Sequence, residues 1–320
     1  MPDYLVFGGV LRSHLSFPEL AAARDGTPRW VLTGSDHAAQ ASPAAALGSE
    51  PVEPGVQVTL YEHDRGLSLA FDDTGSFEIS ADGGQICWYP PPNPDLEAVR
   101  KDLLGRVLAI CLHQQGALAL HGSAVALGSE AIAFLAPKFH GKSTTAAALV
   151  DAGWLPLADD LVAVSTGSPP MVLPGMPAIQ LWRDSAARVG SGGAEVQEEA
   201  DNAKIQRRWD PAPGSRPEGT PLSAIYLLAP VDPKGEAAVR RKRLSAVEAA
   251  LALLGQLKVG QLLGAARRAR MLQRTGDLAD RVPVYRLEIP RDFARIPELT
   301  ETLRRWHTPP AGSTGGGRSG

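Results

Sequence analysis

The residues best suited to chemistry form one run, Ala136-Pro137-Lys138-Phe139-His140-Gly141-Lys142-Ser143-Thr144. Holding a polyphosphate takes converging backbone N–H groups, a helix N-terminus behind them, a lysine for the β- and γ-phosphates and a hydroxyl on Mg2+. Gly141-Lys142-Ser143 supplies the closing part of that pattern. The apolar Ala131–Leu135 before it reads as a strand, and Lys142 to about Ala152 reads as a helix, so the run reads as a phosphate-binding loop. It departs from the usual loop in three places. Ala136 replaces the opening glycine, Phe139 stands where many such loops have glycine, and Pro137 removes one amide donor. Asp159 and Asp160 follow Lys142 by 17 and 18 residues, at the end of the strand candidate Leu155–Ala158. A parallel strand that follows the loop's helix ends beside the loop, so carboxylates there reach Mg2+ or the attacking hydroxyl. Adjacent aspartates also suit a turn or a helix cap. His121 lies in an apolar strand pattern about twenty residues before Lys142, where a satisfied core or edge histidine is the common case.

Weaker candidates surround these. Lys138 and His140 project from the loop and offer further phosphate contacts. Lys204, Arg207 and Arg208 read either as a solvated surface or as a group closing over phosphates. Arg267, Arg268, Arg270 and Arg274 make a basic helix face, either plain surface or a seat for an acidic peptide. His14, His37, His63, His113 and His307 show no metal-ligand spacing.

Three segments in this order, Leu120-His121-Gly122-Ser123-Ala124-Val125, the loop, and Leu157-Ala158-Asp159-Asp160-Leu161-Val162-Ala163-Val164, resemble the HPr kinase/phosphorylase superfamily. Leu173–Trp182, with its Pro174 and Pro177, is similar to the proline-marked strand that follows in that family. Leu222–Leu228 and Val282–Leu287 continue the likeness, which covers about residues 95–305. The opening Tyr4–Leu20 is similar to the start of HPr-kinase-related proteins, the lasso-peptide tail kinases among them. The resemblance implies ATP-dependent transfer to a serine hydroxyl. Lys142 would contact the β/γ-phosphates, Ser143 would ligate Mg2+, and Asp159 would be the general base. Asp160 would support the metal or the base, and His121 would sit at the phosphoryl site. The glycine-rich signature that bifunctional members carry after the Asp pair is missing, so the kinase-related branch fits better than the classical enzyme.

These residues need a scaffold. Val56–Tyr61, Leu67–Phe71, Ser76–Ser80 and Gln85–Tyr89 are short apolar runs between Gly and Asp turn signals, and Tyr4–Leu11 is a further strand. The Ala/Ser/Pro stretch from about Ala38 to Pro54 reads as a surface loop. Asp95–Gln115 shows apolar residues at three- and four-residue steps and predicts a helix closed by Gly116. Strands are expected at Leu118–Leu127, Leu161–Val164, Ala224–Leu228 and Val282–Glu288, and Met171–Trp182 is a segment with Pro174 and Pro177 inside it. Helices are expected at Ser245–Val259, Leu262–Leu272 and Ile296–Trp306, and Gly190–Pro217 reads as a polar stretch. The fold expected is α/β. A β-rich N-terminal module (1–92), whose position suggests a part in substrate recognition, precedes an HPr-kinase-like P-loop domain (93–307) and a disordered tail (308–320).

Composition bounds the partners. At roughly 150 residues per domain, 320 residues suggest two domains. The 35 acidic residues against 32 basic ones leave a net charge of −3, so no global basic field draws nucleic acid or an anionic membrane. Two cysteines, Cys87 and Cys111, exclude a disulfide scaffold and a four-Cys zinc site and read as small buried thiols. No apolar run reaches the ~18–20 residues of a membrane span. Met1-Pro2-Asp3-Tyr4 lacks the basic start of a signal peptide, and the cytoplasm is the expected compartment. The expected activity is phosphorylation of a serine on a peptide or small protein, with ATP and Mg2+ as cofactors, possible homo-oligomers left open. Two alternatives stand beside it: a non-catalytic nucleotide-binding scaffold that presents a peptide, and a small-molecule kinase on the same core.

Overall fold

Phe7 and Gly8 both have positive φ, 46° and 67°, the two-residue turn that suits the twist of paired antiparallel strands. The single strand expected over Tyr4–Leu11 is therefore a hairpin of β1 (Asp3–Val6) and β2 (Gly9–Ser13). The computed structural model describes residues 1–35, 45–176, 178–196, 204–209, 218–231 and 238–308. Mixed α/β structure, richer in strand than helix, runs through them.

The hairpin belongs to a nine-stranded sheet completed by β3 (Ala21–Ala22), β4 (Trp30–Gly34), β5 (Ala46–Glu53), β6 (Val56–His63), β7 (Gly66–Phe71), β8 (Gly75–Ser80) and β9 (Gln85–Tyr89). Its order is β3-β1-β2-β4-β9-β8-β7-β6-β5. Period-two burial turns Leu60, Leu69, Phe77, Ile79 and Ile86 inward. β5 corrects the expected loop: from Ala46 the stretch pairs with β6 as an edge strand, held by ladder hydrogen bonds and by Leu47 and Val52 packed on the core. Ala38–Ala44 of that stretch lies outside the described residues.

The expected helix over Asp95–Gln115 forms as α1 (Leu96–Asp102), a five-residue π turn (Leu103–Val107) and α2 (Leu108–Gln114). Asp95 caps it through the Glu97 N–H, and Gly116 leaves it at φ 91°. Val99, Leu103, Val107, Leu108 and Cys111 are buried. Cys111 is buried and Cys87 half-buried, and both are free thiols.

A second nine-stranded sheet holds the motifs. β10 (Leu118–Leu120) and β11 (Gly122–Leu127) divide the single strand expected there, followed by β12 (Glu130–Leu135), α3 (Lys142–Asp151), β13 (Leu155–Ala158), β14 (Val162–Ser165) and β15 (Met171–Leu173). β16 (Ala178–Trp182) leaves this sheet, so the proline-marked strand that the resemblance placed over Leu173–Trp182 is divided between β15 and β16. After the four-residue α4 (Arg183–Ala186), β17 (Ala194–Val196) and β18 (Lys204–Arg208) join β16 in a three-stranded sheet. They lie within the stretch read as merely polar; residues 197–203 and 210–217 are outside the described residues. The long β19 (Thr220–Val231) returns to the centre of the large sheet, beside β12 and parallel to it. β20 (Arg240–Arg243), α5 (Ala246–Leu254), α6 (Ala265–Arg281), β21 (Val284–Pro290) and α7 (Ile296–His307) complete the chain. The order is β10-β14-β15-β19-β12-β11-β13, with β21 beside β19 and β20 beside β21.

This sheet is buried on both faces. Ile132 and Phe134 of β12 meet Ala146, Ala147 and Leu149 of α3 and Leu299 and Leu303 of α7. Ala131, Ala133 and Leu135 face the other cluster, shared with α2, α5, α6 and the N-terminal sheet. Alanines let α3 lie close to the strands, which fixes its N-terminus at the end of β12. β11 is antiparallel to both β12 and β13, so those two run the same way and end at the same edge.

Candidate functional site

The loop leaves β12 at Ala136 and enters α3 at Lys142, the strand–loop–helix order that the motif requires. Gly141 turns it with φ 86°, and no side chain caps the first turn of α3, so its leading amides keep their donors for a ligand. Phe139 also holds positive φ, 65°, a region costly for a residue with a Cβ. Its ring stacks on Trp182 of β16 at 5.4 Å and 24°, and the Lys204 ammonium lies 5.3 Å from the Trp182 ring. The backbone thus keeps the left-handed step without glycine.

Lys142 is buried, and its Nζ donates to the carbonyls of Ala136 (2.8 Å) and Pro137 (3.1 Å). Burial lowers its pKa, against the opposing pull of Asp159 and Asp160. Ser143 Oγ donates to the Asp159 carboxylate, 2.9 Å from Oδ1 and 3.1 Å from Oδ2. Ser123 Oγ, on β11, donates to Oδ1 at 2.5 Å, and the Gln180 N–H of β16 donates to Oδ2 at 2.9 Å. Burial raises the Asp159 pKa; the three donors pull it down and the Asp160 charge pushes it up.

Asp160 turns the other way, at φ 64°. Its carboxylate lies 2.7 Å from Lys258 Nζ and 3.2 Å from His121 Nδ1. Burial alone would raise its pKa, but Lys258 and His121 outweigh that and hold it well below the usual carboxylate range. The carboxylate is still half-exposed. His121 stands at the break between β10 and β11. Gly122 makes the break feasible, because a Cβ there would meet the Phe134 carbonyl oxygen at 2.6 Å.

The structure therefore groups the expected residues differently. Ser143 was paired with Asp160 as the metal side, but its carboxylate partner is Asp159, because Asp160 is drawn off by Lys258 and His121. Thr144 is turned aside, with Oγ1 3.2 Å from the Ser185 hydroxyl. Pro137, Lys138 and Phe139 are exposed, and His140 Nδ1 lies 2.9 Å from the Lys138 carbonyl. Lys204 meets the loop only through Trp182, the ring on which Phe139 stacks, whereas Arg208 donates to the Pro18 carbonyl. The basic face of α6 lies elsewhere, against α2.

Ser123, Gln180, Trp182 and Lys258 were not singled out in the sequence. Lys258 fell inside an expected helix, Ser245–Val259, but the helix ends at Leu254. Gln256–Lys258 then lies along Ala119–His121, with His121 N–H to Gln256 O at 2.7 Å and Lys258 N–H to Ala119 O at 2.9 Å. Ser123, in the quoted Leu120–Val125 motif, is two residues beyond His121 and on a buried strand.

No protein-family model matches this chain, and no curated protein matches it. Among the described residues no helix is long and apolar enough to cross a membrane.

Proposed function

We propose that the chain binds Mg2+–ATP at residues 136–144 and transfers the γ-phosphoryl group to a serine hydroxyl of a peptide or small protein. The observation that carries this reading is the meeting of Lys142, Ser143 and Asp159 at the uncapped start of α3. The likeness to HPr-kinase-related serine kinases supports it.

The donor set fits Mg2+. Ser143 Oγ and the Asp159 carboxylate are hard oxygens 2.9 Å apart, and Mg2+ usually takes one or two such protein ligands and completes its shell with phosphates and water. Among the described residues no three His, Cys, Asp or Glu gather to hold a metal by themselves, which matches an ion arriving with its nucleotide. Bound Mg2+ would neutralise charge on the β- and γ-phosphates. The α3 amides would bind the phosphates, and the Lys142 ammonium would leave its two carbonyls for the γ-phosphate as charge spreads there.

Asp160 would face the acceptor. Its carboxylate, held by Lys258 and His121, would orient the serine hydroxyl and take its proton late. The serine oxygen forms the new P–O bond as the bond to the β-phosphate oxygen breaks and ADP leaves. This exchanges the roles that the resemblance gives to Asp159 and Asp160.

The test is calorimetric titration with ATP, with and without Mg2+, on wild type and Lys142→Ala, followed by mass spectrometry of candidate acceptors. Micromolar, Mg2+-dependent binding lost in Lys142→Ala, with an 80 Da gain on a peptide, supports the reading. Absence of binding by a folded sample overturns it. The scaffold alternative draws on Phe139 and on Lys142 being bonded back to its own loop. It predicts nucleotide binding with no turnover on any acceptor and no functional loss in Asp160→Asn.

A further inference from the structure

Away from the loop, α6 lays Arg267, Arg270 and Arg274 along a cavity of about 130 Å3 between itself, α2 and β7. Leu67, Ile110 and Met271 supply apolar wall. Most of the arginine donors are accounted for, and what remains is informative. Arg267 donates to Gln114 Oε1 at 2.7 Å and to Glu62 Oε1 at 2.5 Å, but its buried Nε–H has no acceptor. Arg274 donates to the His113 carbonyl at 2.7 Å. Arg270 is exposed and has no ion-pair or hydrogen-bond partner among the described residues. His113, also in the wall, is held neutral, its pKa pushed down to about 4 by burial, so it adds no charge near neutral pH. Three guanidinium groups thus face one small cavity with a single carboxylate, Glu62, among their partners.

We propose that this cavity is a binding site for a carboxylate carried on a short aliphatic stem. The uncommitted donors, Arg267 Nε–H and the Arg270 fork, suit one singly charged oxyanion, and guanidinium groups match carboxylate geometry. A dianionic phosphate would ask for more free donors than remain. The cavity has room for about four waters at ~30 Å3 each, which limits the stem to a few carbons, and Leu67, Ile110 and Met271 would cover them. An acidic side chain of a peptide and a free short-chain carboxylic acid present the same group. The site is independent of the nucleotide reading and is tested without nucleotide.

Met271 reports on the cavity directly. The chain has four methionines, so methyl-13C-methionine labelling gives four signals, with Met271 assigned through Met271→Leu. The full-length protein is titrated with 3-methylbutanoate, with its amide, with acetyl-Leu-Glu-Leu-amide, with the Gln version of that peptide, and with inorganic phosphate. The expected result is a saturable shift of the Met271 methyl with a carboxylate probe, at least tenfold weaker with the uncharged counterpart and at least tenfold weaker in Arg270→Ala. Saturation by the peptide alone assigns the site to acidic side chains, and saturation by the free acid alone assigns it to small acids. Equal shifts with acid and amide, tighter saturation by phosphate, or no saturation by either carboxylate would overturn the proposal. Arg270 is exposed, so its replacement leaves the fold intact, and the amide probes need no variant.

Discussion

Phe139 decides whether the loop keeps its left-handed step without the usual glycine, and two substitutions separate its backbone from its ring. At φ 65° a side chain with a Cβ costs about 1–2 kcal/mol. Phe139→Ala keeps that strain and loses the stacking on Trp182. Phe139→Gly loses the same stacking, ~0.5–1.5 kcal/mol beyond simple burial, but releases the strain. Against the release stands the greater freedom of glycine in the unfolded chain, about 0.4–1 kcal/mol. The stacking loss is common to both variants and cancels in their difference. Phe139→Gly is therefore expected to be more stable than Phe139→Ala by ~1 kcal/mol. At an exposed loop position with negative φ the order reverses, by about 0.4–1 kcal/mol in favour of alanine. Urea unfolding without ligand, compared at a common slope, reads the difference. An alanine variant as stable as the glycine variant, or more so, would refute the left-handed loop and with it the argument that phenylalanine replaces glycine without changing the backbone.

Three further outcomes follow from the charged groups. Burial holds His113 down at about 4, so the stability it contributes is complete above its unfolded pKa of ~6.5 and is lost as pH falls toward 4, by ~3 kcal/mol. Asp102, pushed up to about 6 chiefly by burial, gives the opposite slope between its unfolded value and 6, so the comparison is made in Asp102→Asn: unfolding free energy from pH 7 to 4 should drop ~3 kcal/mol more with His113 present than with His113→Gln. Lys258→Met removes the partner 2.7 Å from a half-exposed carboxylate; turnover should fall about five- to tenfold, the ~1 kcal/mol of such a pair, with Mg2+–ATP affinity nearly unchanged, and an equal loss in both would show a structural role only. Because the Asp159 pKa is raised, Mg2+-dependent nucleotide affinity should weaken on acidification at a pH above the ordinary aspartate range, a slope that a calorimetric pH series should find absent in Asp159→Asn.

The elements that position the loop were legible because each carries a local signal. Val56–Phe71 and Gln85–Tyr89 alternate between turn residues, Asp95 caps a periodic helix, and apolar β12 runs into Gly141-Lys142-Ser143. The misreadings share one physical origin, which is that pairing partners are set by tertiary structure. β5 has only Leu47 and Val52 as large apolar side chains, too few for a strand pattern, but is held by its ladder to β6. Leu118–Leu127 reads as one largely apolar run around His121 and Ser123, and the close approach of Gly122 to Phe134 goes with its division between partners. Ala246–Leu254 and Gln256–Lys258 share a helical pattern, but the Gln256 carbonyl and the Lys258 N–H bond to His121 and Ala119 instead of continuing the helix. That exchange brings Lys258 to Asp160 across 98 residues of sequence, a separation at which no spacing rule operates. The order of the two aspartates was visible; which of them meets Ser143 was not.

That last distinction bears most on mechanism. Two adjacent carboxylates at one strand end would repel if both lay in the same environment, and neither would have a defined task. Here the left-handed backbone at Asp160 sends the side chains to different neighbours. Asp159 is enclosed by two hydroxyls and an amide, with the Lys142 ammonium near enough to feel its charge, and burial, the largest influence, raises its pKa. A cation arriving at Ser143 would therefore meet a carboxylate that forms no ion pair among the described residues. Asp160 already has the Lys258 ammonium, and its pKa falls. It is a weak base at equilibrium, but late proton transfer in phosphoryl transfer asks for orientation more than basicity, and an ion-paired, half-exposed carboxylate at the rim offers orientation. Environments that push paired groups in opposite directions separate their roles. On the proposed reading, exchanging the environments should exchange the consequences. Lys258→Met moves the Asp160 pKa up toward the ordinary value and leaves Asp159 with its own donors. Carbonyl-labelled NMR titration of the two aspartates should then show the Asp160 midpoint rising and that of Asp159 changing little. Midpoints that move together would mean that the pair titrates as one unit and that the division of labour between them is wrong.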